Sequence, residues 1–158
     1  MNETTPPLIG IVAGSKSDLE VLEVTRTTLE EFGVPCELVI LSAHRKPVAC
    51  SEYAAGAAGR GLRLLIAGAG MAAHLAGVLA SRTTLPVLAV PLVAGTLGGL
   101  DALLAMSQMP GGVPVAVFAI GKAGAKNAAL FAVQVLSLSD PDLAARFAEF
   151  KRRLAEDN

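Results

Sequence analysis

The chain has 158 residues, 13 basic and 14 acidic side chains for a formal net charge of -1, and only 4% aromatic residues. A charge so near balance, with no basic stripe interleaved with aromatics, argues against a nucleic-acid or anionic-membrane surface. The length suits a single domain, residues 1–158, with room for a full core.

After a short polar arm (Met1 to Pro7), Leu8 to Ala13 reads as a first strand and Gly14 to Asp18 as the turn after it. Ser17 with Glu20 three residues on matches a capping box, opening a helix to about Phe32 that Gly33 and Pro35 end. Cys36 to Leu41 is the second strand, and Pro47 suits the first turn of a second helix. Leu62 to Ala67 is the third strand. A glycine turn, Gly68-Ala69-Gly70, follows it, then a helix of small residues to about Arg82. Val87 to Val90 and Val115 to Ile120 are strands four and five, with a helix from Leu100 to Gln108 between them. Ala125 to Leu138 is helical, and Asp140-Pro141 caps one more helix, on which Leu143, Phe147, Phe150 and Leu154 share a stripe. That stripe fits either this chain's own sheet or a neighbouring subunit.

Strands alternating with helices at these spacings predict an α/β fold, a parallel sheet covered on both faces. The mean hydropathy of +0.55 raises the question of a membrane span. From Thr83 to Gly121 the only charge is Asp101, but prolines and glycines break that stretch too often for a spanning helix. Buried parallel strands explain the apolarity, and the excess points to a homo-oligomer. Cys36 and Cys50 lack metal-ligand spacing and no secretory signal precedes them, so reduced cysteines in a cytoplasmic protein are expected.

Ser42-Ala43-His44-Arg45 carries the most chemistry. It follows the second strand, at the edge where open parallel sheets bind ligands. A histidine there moves protons near neutral pH, and an adjacent arginine holds phosphate through a fork of donors. The chain has two histidines, His44 and His74, and both follow strand-like runs. Gly14-Ser15-Lys16-Ser17-Asp18 joins a strand to a helix N-terminus, which favours an anion; Ser15 adds a hydroxyl, and Asp18 suits ribose hydroxyls. A plain capped turn explains the same residues. Gly68-Ala69-Gly70-Met71-Ala72-Ala73 has the form G-x-G-x-x-A, but it follows the third strand and no carboxylate lies between Leu85 and Ala94, so dinucleotide binding is disfavoured. Gly121 to Asn127, after the last strand, is a further candidate wall of the same edge. A mobile loop is its alternative. No cluster with ligand spacing surrounds either histidine, so no metal site is expected.

Together these motifs resemble the class I 5-(carboxyamino)imidazole ribonucleotide mutases of purine biosynthesis, over nearly the whole chain. Gln108-Met109-Pro110 and Ala119 to Ala129 extend the likeness. The resemblance implies a three-layer, doubly wound, flavodoxin-like fold with an extra C-terminal helix, assembled as a homo-octamer with sites shared between subunits. It implies no cofactor. It places the general acid/base on His44, phosphate and ribose contacts on Ser15, Asp18, Ser42 and Arg45, and the migrating carboxylate or carbon dioxide on Ala69, Gly70, His74 and Leu75. Met71 stands where the family often has glycine and Ala76 where it often has proline; Ala94, Gly98 and Ala102 take places often held by serine. Direct aminoimidazole ribonucleotide carboxylases resemble the chain too. They usually carry lysine in place of Arg45 and a Ser-Asn pair in the Gly-Met-Ala-Ala-His region, and both differences favour the mutase. A flavin-binding module on the same fold is disfavoured by the presence of one tyrosine and no tryptophan.

Overall fold

A computed structural model describes residues 6–156; residues 1–5 of the expected arm and 157–158 of the expected last helix lie outside them. Five strands, β1 (Ile9–Ala13), β2 (Cys36–Ile40), β3 (Leu64–Gly70), β4 (Val87–Leu92) and β5 (Ala116–Val117), pair in parallel in the order β2-β1-β3-β4-β5. This is the doubly wound, flavodoxin-like order, in which the chain leaves β1 in one direction and returns on its other side. The register aligns the strand ends: Ala13 lies between Ile40 of β2 and Gly68 of β3. The residues that follow β1 and β2 therefore emerge together along one edge, beside the closing turn of β3.

Alternate strand residues feed two cores. Ile9, Ile11, Ile66 and Val90 meet Leu22 and Leu29 of α1 (Leu19–Glu31) and the alanine face of α5 (Lys122–Ser137). Val12, Leu65, Ala67 and Ala89 meet α2 (Pro47–Gly56), α3 (Leu75–Ala80) and α4 (Leu100–Ser107) on the other face. Each fully buried Leu or Ile contributes about 1.5–3 kcal/mol. The alanines of α5 let it approach α1 closely enough for the buried Thr25 hydroxyl to donate to the Ala125 carbonyl at 3.0 Å. On α6 (Pro141–Glu156), Leu143 is buried and Phe147 and Phe150 pack on Phe32, so most of the expected stripe docks on its own chain; Leu154 is largely exposed.

Several expected boundaries are corrected. The capping box is Ser15 with Asp18, not Ser17 with Glu20. The Ser15 N–H donates to Asp18 Oδ2 at 2.8 Å, and a short 3-10 turn, Lys16–Asp18, precedes α1. Gly68-Ala69-Gly70 is strand rather than turn, paired with Val90, Pro91 and Leu92. A Cβ on Gly68 would lie 2.8 Å from Leu22, and one on Gly70 would lie 2.5 Å from the Ala94 Cβ, so glycine here serves close packing. β5 keeps only two of its six expected residues. Pro91 of β4 has no N–H to offer a neighbouring strand, and its carbonyl accepts instead from Gly121 at 2.9 Å. α3 ends at Ala80 rather than about Arg82, and α5 starts at Lys122, three residues before the expected Ala125. Among the described residues no helix is long and apolar enough to cross a membrane.

Candidate active site

Four loops leave the carboxyl edge of β1 to β4 and enclose a cavity of about 450 Å³, a volume typical of small-molecule sites. The residues after β1 supply Gly14, Ser15, Ser17 and Asp18; those after β2 supply Ser42, Ala43, His44 and Arg45. The end of β3 and its loop supply Ala69 to Leu75, and Ala94 follows β4. All nine expected site residues therefore line one cavity: Ser15, Asp18, Ser42, His44, Arg45, Ala69, Gly70, His74 and Leu75. Gly121 to Asn127 does not line it, and Lys122 instead pairs with Glu20 at 2.7 Å.

The polar groups hold one another in place. Asp18 is nearly buried, with Oδ2 on the Ser15 N–H and Oδ1 3.4 Å from the Ser17 hydroxyl; Ser15 and Ser17 share a 2.6 Å contact. The Arg45 guanidinium bridges two strand ends, with Nε on Ser42 Oγ at 3.3 Å and Nη2 on the Gly14 carbonyl at 3.3 Å. Ser42 Oγ also accepts the Arg45 N–H at 3.2 Å, fixing the turn that presents His44. His44 Nε2 meets His74 Nδ1 at 2.7 Å, with the rings edge to face. The Arg45 side opens into a second lobe bordered by Lys16 and Lys46. Sequence reasoning did not single out these two lysines for the site. The signal was present, because they flank Ser15 and Arg45.

The wall between β3 and α3 is built differently from the expected glycine turn. Its two residues with positive φ are Met71 (56°) and Ala73 (48°), neither of them glycine. For an L-residue that conformation costs about 1–2 kcal/mol, and such strain collects at functional sites. The Ala73 N–H is tied to the Gly70 carbonyl at 3.1 Å, which holds the turn and leaves His74 at the start of α3. Gly98 also has a positive φ, 60°, which glycine adopts without strain where serine would not. Ala102 is fully buried in the core of the second face. Among the described residues no group of three or more His, Cys, Asp or Glu side chains converges.

The arrangement brings a strand-to-helix turn, a guanidinium, two lysines, a carboxylate and a hydrogen-bonded histidine pair around an alanine-lined hollow. A family model described as AIRC, AIR carboxylase, matches residues 8–157. The chain belongs to this family. An N5-carboxyaminoimidazole ribonucleotide mutase of Bacillus subtilis (strain 168) is 52% identical over 143 residues, covering 90% of this chain and 88% of that protein. One of the same name from Mycobacterium tuberculosis (strain ATCC 25618 / H37Rv) is 51% identical over 150 residues, covering 95% of this chain and 85% of that one. The crystal structure of Treponema denticola PurE superposes with a TM-score of 0.81 at 28% identity, over 96% of this AIR carboxylase family member and 93% of that chain.

Proposed function

We infer that this member of the AIR carboxylase family is an isomerase: it converts 5-(carboxyamino)imidazole ribonucleotide to 4-carboxy-5-aminoimidazole ribonucleotide in purine biosynthesis. The observation that carries the reading is the meeting of His44 and His74 at 2.7 Å beside Arg45 in one cavity, in a chain about half identical to proteins named as that mutase.

In this reading the substrate phosphate lies against Arg45, Ser42 and Ser15 in the lobe bordered by the lysines, and the ribose hydroxyls meet Asp18. A guanidinium fork suits phosphate oxygens. The base and its carboxyl group then fall among His44, Ala69, Gly70, His74 and Leu75. Protonated His44 delivers its proton to the exocyclic nitrogen as the N–C bond of the carbamate breaks, releasing carbon dioxide inside the cavity. The electron pair at carbon 4 forms the new C–C bond to that carbon dioxide. The proton on carbon 4 returns to His44 and the ring regains aromaticity. Atoms, charge and the histidine's proton are restored at the end of the cycle. Containment makes recapture effectively unimolecular, which is where much of the rate comes from.

Residues 1–158 act here as a single catalytic domain in a cytoplasmic homo-oligomer, an octamer. The exposed apolar side chains Val93, Leu97, Leu100 and Leu104 support burial between copies, and light scattering measures the state. The test of the activity is an ultraviolet assay with the carbamate substrate and neither bicarbonate nor ATP. Product forming faster than the carbamate decays supports the mutase. Product only from aminoimidazole ribonucleotide with bicarbonate means direct carboxylation.

A further inference from the structure

The second lobe of the site gathers positive charge that nothing in the chain neutralises. Its volume is about 480 Å³, against about 450 Å³ for the cavity with which it shares Ser15, Ser42 and Arg45. Either volume is in the range that holds a whole small molecule. Lys16 enters the lobe from the loop after β1 and Lys46 from the loop after β2, and no carboxylate lines it. Asp18 lies in the main cavity instead, with one carboxylate oxygen on the Ser15 N–H. No described residue forms a hydrogen bond or ion pair with the ammonium group of Lys16 or Lys46. Lys122, which follows β5 on the same edge of the sheet, is by contrast paired with Glu20.

Resting on the mutase reading, we propose that the lobe is a second anion subsite, continuous with the phosphate site, which takes the outer phosphate of a ribonucleoside 5′-diphosphate. The inner phosphate of that ligand lies where the substrate phosphate does, against Arg45, Ser42 and Ser15. The outer one continues towards Lys16 and Lys46. A phosphate monoester carries about two negative charges at neutral pH, one fewer than the three cations around the lobe. A diphosphate supplies the third. Lysine suits the outer position because its ammonium is a compact charge on a flexible stem, able to follow a phosphate that the rigid guanidinium does not reach. A monophosphate occupies the inner position alone and leaves both ammonium groups in water. Ribonucleoside diphosphates therefore compete with the substrate, and turnover falls as they accumulate.

The test is calorimetric titration of the full chain with adenosine 5′-monophosphate and adenosine 5′-diphosphate, at fixed ionic strength and with no divalent cation present. Wild-type protein should bind the diphosphate roughly tenfold more tightly, the worth of two ion pairs near the surface. Lys16→Gln and Lys46→Gln should each remove part of that ratio, and the double variant should bring it close to one. Both lysines are exposed, so the melting temperature should hold. In the carbamate assay the diphosphate should raise KM and leave kcat unchanged. A ratio near one in wild type overturns the proposal, as does a ratio that survives in the double variant. Inorganic pyrophosphate binding as tightly as the diphosphate would show a plain anion patch, and a diphosphate that binds without competing would separate the lobe from the substrate site; either result overturns it too. A protein silent with the carbamate overturns the mutase reading itself, and the titration, which needs no turnover, still reads the lobe.

Discussion

His44 Nε2 and His74 Nδ1 lie 2.7 Å apart across 30 residues of chain. They come from loops after β2 and β3, the two strands that flank β1, so the aligned strand register brings them together. Two ring nitrogens this close share one hydrogen, one donating and the other accepting. Each ring thereby fixes the tautomer and orientation of the other.

That relationship separates the effects of two substitutions. His44→Asn should lower kcat by about 10²- to 10⁴-fold, the usual worth of a general acid/base, with melting temperature and assembly unchanged. His74→Ala should cost less, about fivefold, corresponding to one neutral hydrogen bond of about 1 kcal/mol. Steady-state kinetics on both variants checks this. Equal losses would make His74 a proton carrier in its own right.

Arg45→Ala should act mainly on KM, raising it about 10- to 100-fold, because charge-assisted hydrogen bonds are worth about 1.5–3 kcal/mol. Arg45 also ties Ser42 to the Gly14 carbonyl, so kcat should fall slightly as the His44 turn loosens. An unchanged KM would remove Arg45 from the phosphate site.

Asp18 serves both the turn and the ligand, and two variants separate these roles. Asp18→Ala removes the acceptor of the Ser15 N–H and should cost about 1 kcal/mol of stability, as lost caps do. Asp18→Asn keeps an acceptor oxygen, so its melting temperature should stay close to wild type while KM rises. Thermal melts beside kinetics read the difference.

Away from the site, Glu37 of β2 accepts from the Tyr53 hydroxyl at 2.7 Å and pairs with Arg60 at 2.8 Å, the guanidinium lying over the Tyr53 ring. Partial burial by itself pushes the Glu37 carboxyl up, but the Arg60 and Tyr53 hydrogen bonds outweigh it and hold the group below its ordinary value of 4.5. Burial, then the Glu37 carboxylate, pushes the Tyr53 phenol above its ordinary value of 10.0. Glu37 therefore contributes stability above pH 4.5 that disappears as pH falls through its depressed value. Tyr53 contributes stability below pH 10.0 that is lost as pH rises beyond it. Melting temperature against pH for wild type and Glu37→Gln tests both arms, with the variant expected to lose the acid arm and to weaken the alkaline one, which burial of Tyr53 still maintains. Parallel curves would show that the cluster carries no linkage.

The strand and helix order and the sheet edge were legible, and the nine candidate residues share one cavity, because apolar runs and the chemistry after them are local signals. What escaped were features set by packing. Gly68 to Gly70 read as a turn since glycine weakens strands, yet Leu22 and Ala94 crowd those positions and only glycine fits beneath them. β5 read as six residues because nothing within Val115 to Ile120 reveals that its partner strand carries Pro91. The strain at Met71 was invisible for a similar reason, since a positive φ belongs to the folded turn and not to the residue.

The most direct test of the central claim is to follow substrate labelled with ¹³C in the carbamate carboxyl by NMR as wild-type protein turns it over in unlabelled bicarbonate buffer. The account predicts that the label moves from nitrogen to carbon 4 with almost none appearing in bicarbonate. Label passing into bicarbonate while the product carboxyl stays unlabelled would contradict intramolecular transfer and leave a carboxylase that draws on dissolved carbon dioxide.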